Sequence, residues 1–346
     1  MNATINLEKK HFPVLLNELV SIISPLYSGT FIDCTFGQGE YSKKILENKL
    51  NKVIAIDRDK DTYLYARKLE KKYRKRFNFH NIKFSEINNI KFKKEDLKAI
   101  IFDLGYSINQ IKDLRKGLSF HSKGNLNMKM GINDFSAHEV ISSMNEENLI
   151  KIFKYFGEEK HSKQIARNIV SIRKKKIINT EDLTKIIDSV KRFKNSKINN
   201  STKVFQALRI FVNKEISELI NGLINAFYLL PRGGIIVVIT FHSLEDKIVK
   251  FFFKNYSEIK NTSRYLPNNI KNIKYFKLQE KKPITPNFDE LKTNPPSRSA
   301  KLRFAVKTSN GCNFNELKEK FRYLIDIENL KFDRWKNFFL LFQLYF

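Results

Sequence analysis

The chain has 346 residues, of which 42% are hydrophobic and 13% aromatic, and it carries a formal net charge of +28 from 64 Lys and Arg against 36 Asp and Glu. The length is sufficient for one large domain or two ordinary ones, and the composition is that of a folded protein and not of a disordered chain. The two cysteines, Cys34 and Cys312, exclude a disulfide framework, and neither they nor the six histidines have metal-ligand spacing. No apolar run is long enough to span a membrane and no signal-peptide core is visible, so we expect a cytoplasmic protein without metal or membrane association.

The positive charge predicts a polyanionic partner, because a compact particle with an excess of +28 repels itself unless a polyanion neutralises it. A second explanation is a genome bias towards lysine and asparagine, which would raise the lysine content of every protein alike. Both explanations stay open on composition alone.

The first predicted elements are a helix over residues 15–23, ended by Pro25, and then a strand, a turn and a helix. The strand at residues 30–32 stops at Asp33, Gly37 and Gly39 form the turn, and the helix begins at Ser42. A second strand follows and ends at Asp57. This order is typical of a nucleotide-binding α/β sheet, in which a carboxylate at the tip of the second strand accepts both hydroxyls of a ribose.

The glycine turn favours S-adenosylmethionine over NAD as the ligand. Ser42 replaces the third glycine of the dinucleotide pattern, and Asp33 would repel phosphates there. The same carboxylate can face the amino group of a methionine moiety. A nucleotide-binding oxidoreductase and a purely structural glycine turn remain as alternatives.

The rest of the first half predicts a charged helix over residues 61–75, a third strand at 82–84 and a fourth at 99–102. In a doubly wound sheet the active site lies outside the carboxyl ends of the strands. Four residues follow or end the predicted strands at that edge, namely Asp33, Asp57, Phe84 and Asp103. A single acid at such a position is commonly a helix cap or a turn former. Three acids at the same edge of the sheet are better explained by a ligand-binding or active site.

Beyond residue 110 the strand pattern breaks off, and residues 110–204 read as a loop followed by helices. These helices carry a basic run, which is either a solvated face or an RNA-phosphate surface: Arg173, Lys174, Lys175 and Lys176. The chain then predicts a helix over 205–229, a central strand over 235–239 and a helix over 244–256. A lysine-rich loop over 257–281, a closing strand over 302–306 and a tail with two helices follow.

Collinear motifs make the chain resemble the bacterial 16S ribosomal RNA cytosine-N4-methyltransferase family. In the first half the matching blocks are H-F-P-V-L-L (11–16), D-C-T-F-G-Q-G-E-Y-S (33–42), A-I-D-R-D (55–59), D-L-G-Y-S-I-N-Q (103–110), F-G-E-E-K (156–160) and I-A-R-N-I-V (165–170). In the second half they are F-Q-A-L-R-I-F-V-N-K-E (205–215), I-T-F-H-S-L-E-D-K-I-V-K (239–250), K-P-I-T-P (282–286) and N-P-P-S-R-S-A-K-L-R (294–303).

The resemblance implies a class I S-adenosylmethionine-dependent methyltransferase, a Rossmann-like doubly wound α/β sheet with an inserted all-helical substrate domain. The implied parts are 1–109 and 205–307 for the methyltransferase domain, 110–204 for the insertion and 308–346 for an extension of unknown role. The implied cofactor contacts are Gly39, Glu40, Tyr41, Asp57, Phe84, Asp103 and Gln110. Tyr41 replaces the family's usual histidine, Pro296 replaces a basic residue, and the 124–131 loop lacks both family carboxylates.

The expected reaction is methylation of the exocyclic amine of a decoding-centre cytosine in the small ribosomal subunit. We expect Asp103 to hold the amine, with Asn127 and His242 as weaker catalytic candidates. The alternatives are that Asp103 contacts only the cofactor and that His242 only caps the helix carrying Glu245. The basic run and Arg298 are the expected RNA contacts, and a homodimer stays open. A non-catalytic rRNA-binding or assembly protein, and a methyltransferase for another nucleic acid, are the rival functions.

Overall fold

A seven-stranded sheet forms the centre of the computed structural model, which describes residues 13–106, 110–111, 113–120, 122, 124, 126–191, 199–257 and 273–331. In chain order the strands are β1 Thr30–Asp33, β2 Lys52–Ile56, β3 Phe77–His80, β4 Leu97–Asp103, β5 Ile235–Thr240, β6 Phe276–Leu278 and β7 Lys301–Lys307. Their order across the sheet is β3-β2-β1-β4-β5-β7-β6. The first five strands run parallel and β7 is antiparallel to both of its neighbours.

The strand order reverses between β1 and β4, which lie side by side with Asp33 opposite Ile101. Such a switch point leaves a crevice at the carboxyl ends of the strands. Every residue of β1 and β5 is buried, as expected for parallel strands covered on both faces. The doubly wound α/β sheet predicted from the sequence is confirmed.

Helices cover both faces of the sheet. In chain order they are α1 Leu16–Ile23, α2 Glu40–Leu46, α3 Tyr63–Tyr73, α4 Ala137–Ser143, α5 Glu146–Phe156, α6 Ser162–Ile172, α7 Thr180–Val190, α8 Thr202–Asn213, α9 Glu215–Leu229, α10 Ser243–Ser257, α11 Phe288–Thr293 and α12 Asn315–Glu328. Side chains alternate along each strand, so Phe31 and Ile101 face one core while Ile32 and Phe102 face the other.

The predicted position of the third strand is wrong. The strand is Phe77–His80, and residues 82–84 lead into a 3-10 turn, Phe84–Asn89. Phe77 and Phe79 pair with Val53 and Ala55 of β2, and the Phe77 and Phe79 rings both contact Phe36. This aromatic alternation was the stronger strand signal.

The helix predicted over 205–229 is two helices, because Lys214 adopts a left-handed conformation (φ 50°, ψ 44°) between α8 and α9. A short strand, Phe276–Leu278, also lies inside the predicted 257–281 loop, whose residues 258–272 are outside the described ranges. The bounds of the other predicted helices and strands agree within a few residues.

The helices that follow β4 share a core with the sheet. Phe153 of α5 and Phe211 of α8 belong to the same buried cluster as Ile32 and Phe102. The predicted boundary at 204/205 falls inside α8, which packs against α5. The division of the chain into domains therefore stays a prediction.

The C-terminal extension packs onto the body through α12. The Phe321 ring lies 5.7 Å from Phe251 of α10, and Phe314 lies 5.0 Å from Phe227 of α9. The second predicted tail helix, with the apolar run 338–342, lies outside the described residues. Among the helices described, none has the length and apolar character to cross a bilayer.

Candidate active site

A cavity of about 1070 Å³ opens at the carboxyl ends of β1, β2, β4 and β5. Of the predicted site residues it is lined by Gly37, Glu40, Tyr41, Asp57, Phe84, Asp103, Gln110, His242 and Arg298. These residues come together from six separate parts of the chain.

The glycine turn is tied to the tip of the second strand. Asp57 accepts the Gly37 N–H through Oδ2 and the Asp59 N–H through Oδ1, both at 2.8 Å. Gly37 and Gly39 have positive φ values of 54° and 78°, which favour glycine. Burial raises the pKa of Asp57 to about 6. Each carboxylate oxygen keeps a second lone pair that can accept a ribose hydroxyl.

Asp33 lies behind the turn and is not among the cavity-lining residues of the described chain. It is fully buried, and it accepts the Ser42 hydroxyl at 2.6 Å and the Thr35 N–H at 3.3 Å. Burial raises its pKa to about 6. This geometry makes Asp33 an organiser of the turn, and we do not carry it forward as a cofactor ligand. It also explains Ser42, whose hydroxyl supplies the partner for that buried carboxylate.

The next three turn residues differ in exposure to the cavity. Gly39 does not line it, and an added Cβ at this position would come within 2.4 Å of the Phe36 ring. Glu40 lines the cavity and forms an ion pair with Lys43 at 2.5 Å. Tyr41 is buried and its hydroxyl donates to the Val14 carbonyl at 2.5 Å. Contact between any of these residues and a cofactor stays a prediction.

Asp103 ends β4 in the middle of the cavity wall. Its N–H donates to the Thr35 hydroxyl at 2.7 Å, while its carboxylate Oδ1 is buried with no hydrogen-bond partner among the described residues. Burial raises the pKa of Asp103 to about 8; the Tyr41 hydroxyl lowers it, and the charges of Asp33 and Glu245 raise it further. A buried carboxylate oxygen without a partner is costly unless a ligand supplies one.

Gln110 and Phe84 reach the cavity in ways the strand pattern did not predict. Gln110 donates from Nε2 to Asp59 Oδ2 at 2.6 Å. Phe84 lies beyond the end of β3 and packs edge-to-face on Phe102 at 5.4 Å. Gly222 of α9 makes room for this ring, since a Cβ there would come within 2.6 Å of it.

His242 caps α10 together with Glu245. Glu245 Oε2 accepts the N–H groups of Phe241 at 2.9 Å and of His242 at 3.4 Å, and the Glu245 N–H donates to His242 Nδ1 at 3.4 Å. His242 Nε2 lies 3.1 Å from Glu245 Oε1. This geometry supports the capping alternative, although His242 also lines the cavity.

A buried ion pair next to His242 was missed by the sequence reasoning. Arg209 donates from Nε and Nη2 to the two carboxylate oxygens of Glu215, each at 2.8 Å. Its guanidinium also lies 4.7 Å above the Tyr106 ring. Glu215, His242 and Glu245 are close enough to share a cation, but the Glu215 carboxylate already forms an ion pair with Arg209. The available signal was an arginine inside an otherwise apolar run, residues 207–212.

Asn127, a candidate for catalysis, is not among the residues that line the cavity in the described chain. Its carbonyl accepts the Ala137 N–H at 3.0 Å, so it serves the start of α4. The neighbouring Met128 and Met130 line the cavity instead. The structure therefore favours an apolar contact from this loop over a catalytic one.

The basic run divides into structural and exposed members. Arg173 is half-buried and donates to the carbonyls of Ile141 at 2.9 Å and Met144 at 2.6 Å, which caps the end of α4. Burial lowers its pKa. Lys176 pairs with Asp182 at 2.6 Å. Lys174, Lys175 and Lys176 are all exposed, and because Lys176 already pairs with Asp182 we expect Lys174 and Lys175 to be the phosphate contacts.

The polar groups that line the cavity fit S-adenosylmethionine. That cofactor carries positive charge on its sulfur and amino group, and the cavity is lined by Asp103, whose Oδ1 has no hydrogen-bond partner among the described residues. Its ribose hydroxyls match the carboxylate of Asp57 at the tip of β2.

Comparison with known proteins gives a family. A model of the MraW methylase family matches residues 8–308. A protein of Ehrlichia ruminantium (strain Welgevonden) named ribosomal RNA small subunit methyltransferase H is 42% identical over 306 residues, covering 86% of this chain and 99% of its own length. The protein of that name from Rickettsia prowazekii (strain Madrid E) is 38% identical over 302 residues, covering 86% of this chain and 98% of its own.

A solved structure of an rRNA methylase from Streptococcus thermophilus aligns over 87% of this chain and 100% of its own, at 10% identity and a TM-score of 0.35. The family match and the two relatives suffice. This chain belongs to the MraW methylase family of S-adenosylmethionine-dependent methyltransferases.

Proposed function

We propose that this protein methylates the exocyclic N4 amine of a decoding-centre cytosine in the 16S RNA of the small ribosomal subunit. The names of its relatives support an rRNA substrate. The observation that carries the proposal is the carboxylate of Asp103, which lines the cavity and whose buried Oδ1 has no hydrogen-bond partner among the described residues. A ribosomal substrate also implies a cytoplasmic protein. The homodimer remains a prediction, which light scattering can test.

The proposed role of Asp103 is to orient the amine. A cytosine amine is a poor nucleophile, because its lone pair is delocalised into the ring. When bound, the cofactor supplies a methyl group on a positively charged sulfur. Aligning amine and methyl is worth about 7–11 kcal/mol, whereas a general base adds about 10²–10⁴-fold, or about 3–5 kcal/mol. We therefore assign Asp103 mainly to holding the amine N–H, with the proton leaving after transfer.

The cavity surface around Tyr106 suits an unstacked base. A base must leave its stack to reach a buried carboxylate, and flipped bases commonly lie against aromatic rings or guanidinium planes. Tyr106 is 44% exposed beside Asp103, and Arg209 covers one side of its ring. We assign the base to this surface, with Arg298, Lys174 and Lys175 as phosphate contacts.

The test is methyl transfer from tritium-labelled S-adenosylmethionine to small-subunit particles, with mass spectrometry to locate the label. We expect Asp103→Asn to lower the single-turnover rate at saturating cofactor by about 10²-fold or more. Asp96→Asn is the matched control, since Asp96 is exposed just before the other end of the same strand.

Three results would count against the proposal. A full rate for Asp103→Asn would remove Asp103 from the reaction. Binding of particles by the wild type without any transfer would favour the non-catalytic assembly protein. Label in a different nucleic acid would favour the other rival.

A further inference from the structure

The C-terminal extension places one fully buried carboxylate against the catalytic domain. Helix α12 begins at Asn315 and lies beyond residues 8–308 of the family match. Its apolar face is anchored by buried side chains, Leu317, Phe321, Leu324 and Ile327. Glu328, its last residue, is only 1% exposed. Burying a carboxylate at the end of a surface helix is costly unless it is well bonded, so its partners indicate its role.

Those partners are the first free N–H groups of α9. Glu328 Oε1 accepts the Ile216 N–H at 2.7 Å, and Oε2 accepts the Ser217 N–H at 2.8 Å. Lys214, the residue before α9, is left-handed and its side chain makes no cap. The N–H groups at the start of a helix have no partner within it, and a negative charge there is favoured by the helix dipole. Glu328 thus replaces the missing cap from 112 positions away in the chain.

The turn that Glu328 caps carries two cavity residues, Glu215 and Glu218. Glu215 holds Arg209, whose guanidinium covers Tyr106 on the base side. Glu218 accepts the N–H of Ser85 at 3.0 Å and its hydroxyl at 2.7 Å, which fixes the segment beside Phe84 on the cofactor side.

We infer that Glu328 is a positioning residue of the cavity: by capping α9 it sets the positions of Glu215 and Glu218, and through them those of Arg209 and Phe84. The C-terminal extension is in this sense part of the methyl-transfer site. The kinetic consequence rests on the proposed function, whereas the effect on the α9 amides and on cofactor binding does not.

The experiment compares Glu328→Gln with two controls in the full chain. Lys307→Met removes the Lys307 ammonium from the carbonyls of Phe227 and Leu230, at the other end of α9. Glu319→Gln changes an exposed carboxylate on α12 itself. Thermal unfolding, hydrogen exchange at Ile216 and Ser217, cofactor binding by calorimetry, and kcat and KM with small-subunit particles are measured for each.

We expect Glu328→Gln to lower kcat for methyl transfer about 10- to 100-fold, because small misplacements of positioning groups have effects of that size. It should also speed exchange at the Ile216 and Ser217 amides and weaken cofactor binding. Lys307→Met should lower the Tm comparably without changing kcat, KM or those two amides, and Glu319→Gln should change nothing.

Equal effects of Glu328→Gln and Lys307→Met on kcat and on cofactor affinity would overturn the inference and reduce Glu328 to a stability residue. If the wild type transfers no methyl group to particles, the proposed function fails instead. Faster amide exchange with weaker cofactor binding in Glu328→Gln alone would then still support the positioning role.

Discussion

The two walls of the cavity are built in different ways. On the wall that we propose for the cofactor (the cofactor wall), Asp57 accepts the main-chain N–H groups of Gly37 and Asp59, which lie 20 and 2 positions away in the chain. On the wall that we propose for the base (the base wall), side chains lie against side chains: Arg209 pairs with Glu215 at 2.8 Å, and His242 Nε2 lies 3.1 Å from Glu245 Oε1. The first wall is set by a local turn, while the second depends on how three helices and the C-terminal extension pack.

The walls also differ in charge. Burial raises the pKa values of Asp57 to about 6 and of Asp103 to about 8, so the cofactor wall gains from a cationic ligand. On the base wall burial would raise the pKa of Glu245, but the charge and hydrogen bond of His242 and the charge of Arg209 hold it below its ordinary value. The Glu245 carboxylate therefore has its partners within the protein, whereas Asp103 Oδ1 has none among the described residues.

The largest effect should come from breaking the base wall with Arg209→Met. This change leaves the Glu215 carboxylate unpaired in a site where its side chain is only 16% exposed. We expect the free energy of unfolding in urea to fall by about 3–5 kcal/mol. The double variant Arg209→Met/Glu215→Leu should regain most of that stability and still transfer methyl groups poorly. A single variant as stable as the wild type would show that the pair does not hold this wall.

On the cofactor wall, Asp57→Asn should weaken S-adenosylmethionine binding by about 10- to 100-fold, because hydrogen bonds to a charged group contribute about 1.5–3 kcal/mol. Calorimetry measures this directly. Glu47→Gln is the control, since that side chain is 61% exposed and does not line the cavity. Unchanged affinity in Asp57→Asn would contradict the ribose assignment.

The pH dependence of stability should separate Asp103 from the other acids. Its pKa is about 8 in the folded protein against an ordinary value of 3.8, so its stabilising contribution is complete below about pH 4 and is lost as pH rises through 8. Between pH 6 and 8 the wild type should lose about 1.4 kcal/mol per pH unit relative to Asp103→Asn. If the free energy of unfolding changed with pH in the same way in both proteins, a group other than Asp103 would be responsible for the titration.

The smallest effect concerns the basic run outside both walls. Lys174→Gln/Lys175→Gln should weaken particle binding and reduce its salt dependence, by a slope of about 1 for each phosphate that the variant no longer binds. Arg173→Gln should instead lower the Tm, because it removes the cap from α4. A salt dependence that is nearly flat in the wild type would attribute the +28 charge to composition alone.

The sequence by itself determined the fold class and predicted the residues that we propose for the cofactor wall. Strand, glycine turn and helix follow one another along the chain, and the acids Asp57 and Asp103 come directly after or at the end of buried apolar runs. Such features depend on residues a few positions apart, so periodicity and turn chemistry are enough to find them. The displaced third strand is the exception, because two adjacent segments both had apolar character.

Only the tertiary structure decided the partners of charged side chains. The sequence predicted Arg173 as an RNA contact and Asp33 as a cofactor ligand. In the structure Arg173 caps α4, and Asp33 accepts a hydrogen bond from the Ser42 hydroxyl. Glu328 meets Ile216 across 112 positions. A charged residue looks the same in sequence whether it faces solvent, a helix end or a buried ion pair. Its partner is set by long-range packing, which no local pattern encodes.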